Sequence, residues 1–275
     1  MQYLDEKYKT SAITTERLRE MKQLGIKICC ITAYDALFAR IFEEAGVDLI
    51  LVGDSLANVV QGKTTTLSVT LEEMIYHTKA VASSAKRPLV VADMPFMSYQ
   101  VSPDEALRNA GRLLKETGCD AIKLEGCSNK IIAAVQAMTE TGIPVLGHLG
   151  LTPQHINKFG TYKTRGTDKI EADKIFADAV KLEDAGAFSI VLEKIPAELA
   201  KAISENLSIP TIGIGAGKHC DGQILVYADM LGINIDFNPR FVRKYANLYD
   251  EIKKSVENYA TDVKNISFPD DKESY

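Results

Sequence analysis

Four acidic side chains stand just past short runs rich in Leu, Ile and Val: Asp54 after DLILVG, Asp93 after PLVVA, Glu125 after AIKL and Glu193 after SIVL. Carboxylates held close together repel, and they persist only if one is protonated or a cation sits among them. Oxygen donors with room left for water and substrate suit Mg²⁺. Asp54, in Gly53-Asp54-Ser55, is the first expected metal ligand, because glycine allows a sharp turn there. No His/Cys cluster has the spacing of a zinc site: His77 falls in a helical pattern, His148 at a strand end, and His155 and His219 in loops.

Each of these residues has an ordinary alternative. An Asp after a strand serves equally as a helix N-cap. Lys123 lies two residues before Glu125 in KLEG, so on a strand both point the same way. Lys123 then either meets an anionic substrate group or forms an internal pair with Glu125. Ser55 either donates to a carboxylate oxygen or caps a helix. His148 reads as an orienting donor in a pocket, with a hydrogen-bonded core histidine as the alternative. Tyr34 and Tyr162 read better as structural residues than as pocket rim. The run Gly213-Ile214-Gly215-Ala216-Gly217 presents backbone N–H groups to an anion or is a tight turn that needs small residues.

The elements that must position these groups alternate. Strands are expected at 27–33, 48–52, 88–92, 121–124, 144–147, 189–192, 211–214 and 223–228. Helices are expected at 14–23, 35–45, 70–84, 102–117, 130–140, 170–184, 197–206 and 240–259, with a polar tail over 261–275. Thr70 and Glu73 have the spacing of a capping box. Ser102, Pro103 and Gly118 are start and stop signals. The strands carry no helical period and suit a sheet buried on both faces. Eight strands alternating with helices predict one α/β domain over 1–275, a (β/α)₈ TIM barrel, with the helix at 14–23 covering its amino-terminal mouth. A doubly wound open sheet is the alternative, but G-I-G-A-G follows the seventh strand and is not a G-x-G-x-x-G. In a barrel, all four acids surround one pocket at the carboxyl ends of the strands.

Composition is that of an ordinary globular protein and lends several kinds of partner no support. Of 275 residues, 46% are hydrophobic and 25% charged, enough for a sizeable core. Net charge is 32 − 37 = −5 with no basic patch, so nucleic acid and anionic membranes have no electrostatic support. The five cysteines are odd in number and form no C-x-x-C, as expected for reduced thiols in a cytoplasmic protein. The N-terminal MQYLDEKYKT has neither an apolar nor an Arg-rich leader. No stretch reaches the roughly 20 apolar residues of a membrane helix.

Longer runs carry a resemblance. They are Thr32-Ala33-Tyr34-Asp35, Val52-Gly53-Asp54-Ser55-Leu56, MIYHT from Met74, ADMPFM from Ala92, KLEG from Lys123, GHLGLTPQ from Gly147, Leu192-Glu193, and IGIGAGKHCDGQIL from Ile212. Through these, over residues 30–240, the chain resembles the ketopantoate hydroxymethyltransferase family. The resemblance implies a barrel of the phosphoenolpyruvate/pyruvate superfamily, a Mg²⁺ requirement and a homodecamer. It implies transfer of a hydroxymethyl group from 5,10-methylenetetrahydrofolate to the 2-oxo acid 3-methyl-2-oxobutanoate, giving 2-dehydropantoate for pantothenate synthesis. It puts the metal at Asp54 and Asp93 with Glu125 beside it, substrate contacts at Ser55, Asp93 and Lys123, and the catalytic base at Glu193. Asp54 and His148 complete the expected substrate-binding set. The loop Phe159-Gly160-Thr161-Tyr162-Lys163-Thr164-Arg165-Gly166 departs from the family at Thr161, where a glycine is usual, and at Arg165, where a glutamine is usual. The departures bear on loop closure and folate contacts. The segment Asn234 to Pro239 departs too and bears on subunit contacts.

Two rivals stand beside this reading. One is a Mg²⁺-dependent 2-oxo acid lyase or mutase of the same superfamily. The K-K-C-G-H-type loop of many such lyases does not occur here. The other is a non-catalytic ligand-binding barrel.

Overall fold

The computed structural model describes residues 11–275; the segment MQYLDEKYKT, in which no leader was expected, lies outside the described residues. The described chain forms two compact units, one ending at Val226 and the other spanning Tyr227–Tyr275.

Eight parallel strands close the first unit into a barrel in sequential order. They are β1 (Ile28–Thr32), β2 (Leu49–Val52), β3 (Leu89–Asp93), β4 (Ala121–Lys123), β5 (Val145–Gly150), β6 (Ser189–Glu193), β7 (Thr211–Ile214) and β8 (Gly222–Leu225). Closure is through β8 against β1, with Ile28 opposite Gly222 and Ile31 opposite Leu225. That pairing ends β8 at Leu225, short of the expected Ala228: Tyr227–Met230 is a helical turn in the second unit. The open-sheet alternative is thereby excluded.

Helices lie between successive strands up to β7: α2 (Ala36–Glu44), α3 (Leu56–Val59), α4 (Leu71–Ala82), α5 (Pro103–Thr117), α6 (Asn129–Glu140), α7 (Ile156–Phe159), α8 (Lys169–Asp184) and α9 (Ala197–Asn206). Residues 215–221 join β7 to β8 without one. The start signals act as their chemistry dictates. The Thr70 hydroxyl accepts from the Glu73 N–H while the Glu73 carboxylate accepts from the Thr70 N–H, and Ser102 caps α5 with Gly118 left-handed at its end. The Gly-Ile-Gly-Ala-Gly run is a close-packed turn, since a Cβ at Gly217 would lie 2.5 Å from the Ala197 Cβ.

α1 (Thr15–Gln23) precedes β1. Its Leu18 and Met21, with Ile13, join one apolar cluster with Ile28, Leu49, Leu89 and Val91 of β1–β3. The Lys22 ammonium donates to the carbonyls of Ser204 and Ile209 and pairs with Asp221 at 3.0 Å. The helix therefore seals the end of the barrel where the strands begin, and the carboxyl ends remain for chemistry.

In the second unit, α10 (Tyr227–Met230) is followed by α11 (Leu248–Lys264). The sequence suggested a helix over 240–259; it starts a full eight residues later, after the irregular stretch that follows Pro239. Pro239 lies among turns that the helical pattern did not register. Among the described residues no helix is long and apolar enough to cross a membrane.

Candidate active site

The strand ends deliver the four acids to one place. In none of the four does the carboxylate cap the next helix: Ser55 is the N-cap residue of α3, Ser102 of α5, Ser128 of α6 and Pro196 of α9. Asp54, Asp93 and Glu125 are buried, and the Glu193 side chain keeps 16% of its surface open.

Parallel register sets the first contacts. Asp93 on β3 is opposite Lys123 on β4, and the Lys123 Nζ donates to Asp93 Oδ2 at 2.6 Å. Lys123 also lies 3.7 Å from Glu125 Oε1. The internal pair that the sequence allowed for Lys123 is therefore formed, with Asp93 nearer than Glu125. The Asp54 backbone N–H points at the same Asp93 oxygen at 3.4 Å. On the other side, His148 places Nδ1 3.2 Å from Glu125 Oε1 and Nε2 3.4 Å from Glu193 Oε2. Neither ring nitrogen is aligned for a hydrogen bond, so the attraction is one of charge. The result is a continuous line of groups: Asp54, Asp93, Lys123, Glu125, His148, Glu193.

Charge crowding tunes the line. Burial, then the neighbouring Asp93 and Glu125 charges, push Asp54 well above the usual carboxylate range, against the pull of Lys123 and of a hydrogen bond from Gln154. Burial disfavours a charged Lys123, but Asp93, Glu125 and Asp54 outweigh it and hold the ammonium protonated. Burial likewise favours a neutral His148, and the Glu125 carboxylate, with Glu193 beyond it, outweighs that and pushes the ring up to about 9. Glu125 is held below its ordinary value: burial opposes its charge, and His148 and Lys123 more than compensate.

The His148 shift makes a testable pH dependence in the metal-free protein. A folded-state pKa above the unfolded 6.5 contributes stability that is whole below about pH 6.5 and is lost as pH rises through 9. Urea unfolding between pH 6 and 9.5 should show wild type losing stability over that window, and His148→Gln should lack that part of the slope. Equal slopes in the two proteins would show that His148 is neutral in the fold.

Two glycines make room for the line. The sharp turn expected at Gly53 is present, its carbonyl accepting from the Leu56 N–H at 3.1 Å, without a left-handed conformation. The residue is glycine for space, because a Cβ would sit 2.7 Å from Ser55 Oγ. That hydroxyl shares a 2.8 Å hydrogen bond with the Tyr34 hydroxyl and makes no helix-capping bond. Gly150, at φ +92°, is opposite Glu193 in the β5–β6 register. A Cβ there would lie 2.2 Å from the Glu193 carbonyl oxygen. Directly after Glu193, Lys194 adopts φ +46°, a rare conformation for a residue with a side chain. Its N–H donates to the Ile214 carbonyl at 2.9 Å and its carbonyl accepts from the Arg165 N–H at 2.8 Å. Arg165, one of the departures in the loop, also pairs with Glu171 and stacks its guanidinium 4.2 Å from the Phe159 ring centre. Tyr162 is half exposed and its carbonyl accepts from the Lys194 ammonium.

Sequence reasoning missed Gln154 and Tyr99. Gln154 is 2% exposed, and its amide donates to Asp54 Oδ2 at 3.0 Å and to the Met94 carbonyl at 2.9 Å. Tyr99, 1% exposed, reaches Gln154 and Glu125. Gln154 closes the GHLGLTPQ run just after Pro153, which starts a short turn of helix at the end of β5. A polar residue in a strand-end turn was the only available signal.

Among the described residues, no group of three or more His, Cys, Asp or Glu side chains forms a ready-made metal cage. The donor chemistry of Asp54 and Asp93 fits a different kind of site. Asp93 Oδ1 is buried and has no hydrogen-bond partner, and burial, followed by the Asp93 and Glu125 charges, disfavours a charged Asp54 unless a cation joins it. Mg²⁺ commonly takes one or two carboxylates and completes its shell with water and substrate oxygens. Glu125 is turned elsewhere, toward Lys123, His148 and the Gln154 N–H.

Comparison with known proteins adds an independent finding. A model of the ketopantoate hydroxymethyltransferase family matches residues 12–271. A 3-methyl-2-oxobutanoate hydroxymethyltransferase of Chlorobium phaeobacteroides is 57% identical over 273 residues, covering 98% of each chain. One of Flavobacterium johnsoniae is 54% identical over 263 residues, covering 96% of each. Among solved structures, a phosphonopyruvate hydrolase in complex with oxalate and Mg²⁺ superposes with a TM-score of 0.62 at 12% identity, covering 95% of this chain and 93% of the other. A 2,3-dimethylmalate lyase of the PEP mutase/isocitrate lyase superfamily gives 0.58 at 18%, covering 95% and 91%. At such identities these two speak for the fold alone.

Proposed function

This chain belongs to the ketopantoate hydroxymethyltransferase family, and we propose that it moves a hydroxymethyl group from 5,10-methylenetetrahydrofolate to 3-methyl-2-oxobutanoate, giving 2-dehydropantoate. The observation that carries the reading is the line from Asp54 to Glu193. It puts a partly open carboxylate 3.4 Å from a cationic His148, at the far end of a line of groups whose other end is crowded with negative charge.

The substrate offers a carboxylate, a keto oxygen and an acidic proton on C3. Asp54 and Asp93 would hold Mg²⁺, with Glu125 behind them. A divalent cation there supplies Lewis-acid polarisation of the keto group. Glu193 takes the C3 proton. His148, with Nε2 3.4 Å from Glu193 Oε2, orients that carboxylate by its charge while Glu125 attracts the other side of the ring. Ser55 and Lys123 take the substrate carboxylate, Ser55 through the hydroxyl proton that it shares with Tyr34. Water adds to the methylene bridge of the folate, both of its C–N bonds break, and tetrahydrofolate leaves with formaldehyde set free in the site. C3 then bonds to the formaldehyde carbon, and the alkoxide so formed takes up the proton that Glu193 holds, giving the hydroxymethyl group. Burial of the acids and of Lys123 keeps bulk water from screening these interactions. The reading carries with it a cytoplasmic enzyme that assembles as a homodecamer.

The test is exchange without turnover. Wild type with Mg²⁺ and 3-methyl-2-oxobutanoate in D₂O, with no folate present, should replace the C3 proton by deuterium, followed by NMR. Absence of exchange, with ketoacid bound, would favour the ligand-binding barrel. Cleavage of a C–C bond in a 2-oxo acid would favour the lyase. The second outcome is disfavoured by more than half identity to hydroxymethyltransferases along nearly the whole chain.

A further inference from the structure

We propose that Gln154 is a positioning residue that restricts Asp54 to a one-oxygen grip on a divalent cation and thereby favours Mg²⁺ over Ca²⁺. The inference rests on the reading of Asp54 as a metal ligand and concerns what shapes that ligand.

The orientation of the Gln154 amide is forced by its neighbours. The Met94 carbonyl only accepts, so the atom 2.9 Å from it must be the NH₂ group. At the other end, the Tyr99 hydroxyl accepts the Glu125 N–H at 3.0 Å. Its own proton then goes to Gln154 Oε1 at 2.7 Å, where Gln100 Nε2 also donates at 3.0 Å. The Gln154 backbone N–H donates to Glu125 Oε2 at 3.0 Å. Both donors and both acceptor positions of this buried amide are thus in use. It cannot swing aside without leaving several buried groups unpaired, each at a cost of about 1–3 kcal/mol.

The consequence falls on Asp54. Its Oδ2 is occupied by the Gln154 N–H at 3.0 Å. A cation that gripped both Asp54 oxygens would have to share Oδ2 with that donor, which already takes one of its two lone pairs and sets the direction left for the ion. Ca²⁺ takes more oxygens, often from bidentate carboxylates, whereas the smaller Mg²⁺ prefers single-oxygen contacts in a near-octahedral shell. An amide fixed on one oxygen therefore penalises the larger ion selectively.

Binding of Mg²⁺ and of Ca²⁺ to the metal-free full-length protein, measured by calorimetry, tests this directly. In Gln154→Ala the ratio of Mg²⁺ to Ca²⁺ affinity should fall by about tenfold or more, the scale of lost outer-shell partners. In Tyr99→Phe, which removes one anchor of the amide and keeps the amide itself, the ratio should fall by a smaller factor. If Gln154→Ala does not fold, Tyr99→Phe decides. A merely structural role would weaken both ions alike, so an unchanged ratio overturns the proposal. Asp54→Asn separates the two failures. If it leaves Mg²⁺ binding intact, the metal reading is wrong. If it abolishes binding while the ratio is unchanged in the Gln154 and Tyr99 variants, only the selectivity proposal falls.

Discussion

Glu193→Gln is expected to slow deuterium exchange at C3 of 3-methyl-2-oxobutanoate by about 10²–10⁴-fold, the usual contribution of a positioned general base, while the ketoacid and Mg²⁺ still bind. The substitution keeps the shape of the side chain and removes its ability to accept the proton. Glu193 suits the role because it is the one acid of the four that is not locked away: its side chain is 16% exposed and its close charged contact is His148 at 3.4 Å. Asp54, Asp93 and Glu125 are each engaged by Lys123, His148 or Gln154. Its backbone is held by pairing with β7, by the Leu151 N–H on its carbonyl at 2.8 Å and by the close approach of Gly150, so the amide should sit where the carboxylate did. Exchange by Glu193→Gln at the wild-type rate would remove Glu193 as the base. Loss of ketoacid binding along with exchange would instead make Glu193 a binding residue.

Lys123→Met should be the most destabilising single change in the barrel. Lys123 is 3% exposed, and its ammonium is the cation that faces Asp93 at 2.6 Å and Glu125 at 3.7 Å. Breaking a buried ion pair by removing one partner typically costs about 3–5 kcal/mol, because the other charge remains unpaired. The loss should depend on pH in a definite sense. Asp54 is already pushed up by burial and by the Asp93 and Glu125 charges, Asp93 is pushed up by burial, and without Lys123, which pulls both down, these two rise further. An acid whose folded pKa lies above its unfolded one destabilises the protein at higher pH, and the penalty disappears as pH falls below the unfolded value. Relative to wild type, Lys123→Met should therefore recover stability from pH 7 toward pH 5. Mg²⁺ should also raise its unfolding midpoint more than that of wild type, since the ion replaces the missing positive charge. Urea unfolding at several pH values, with and without Mg²⁺, reads both effects. A variant as stable as wild type at pH 7 would show that the acids need no internal cation.

Much of the fold was legible because it depends on local rules. The strand runs are continuous and apolar, as sheets buried on both faces require, and α9 and β7 fall where the pattern put them. Capping side chains act within three residues, so Thr70, Glu73 and Ser102 announced α4 and α5. The limits of β8 and α11 were misplaced for a corresponding reason: the first is set by pairing with β1, and the second by turns that leave no helical period to read.

At the site, the sequence by itself determined the inventory: acids past four strand runs, a lysine in phase with one, and a histidine at a fifth strand end. Barrel closure then dictated that these groups share one end. Only the tertiary structure decided who touches whom. It paired Lys123 with Asp93 across a register, 30 residues apart, in preference to Glu125 two residues away. It also brought Gln154, 100 residues along the chain, onto Asp54. Such contacts depend on strand stagger and on the direction of each side chain into the barrel mouth. Neither leaves a mark in residue spacing, because hydrogen bonding and charge are short-ranged in space and indifferent to distance along the chain.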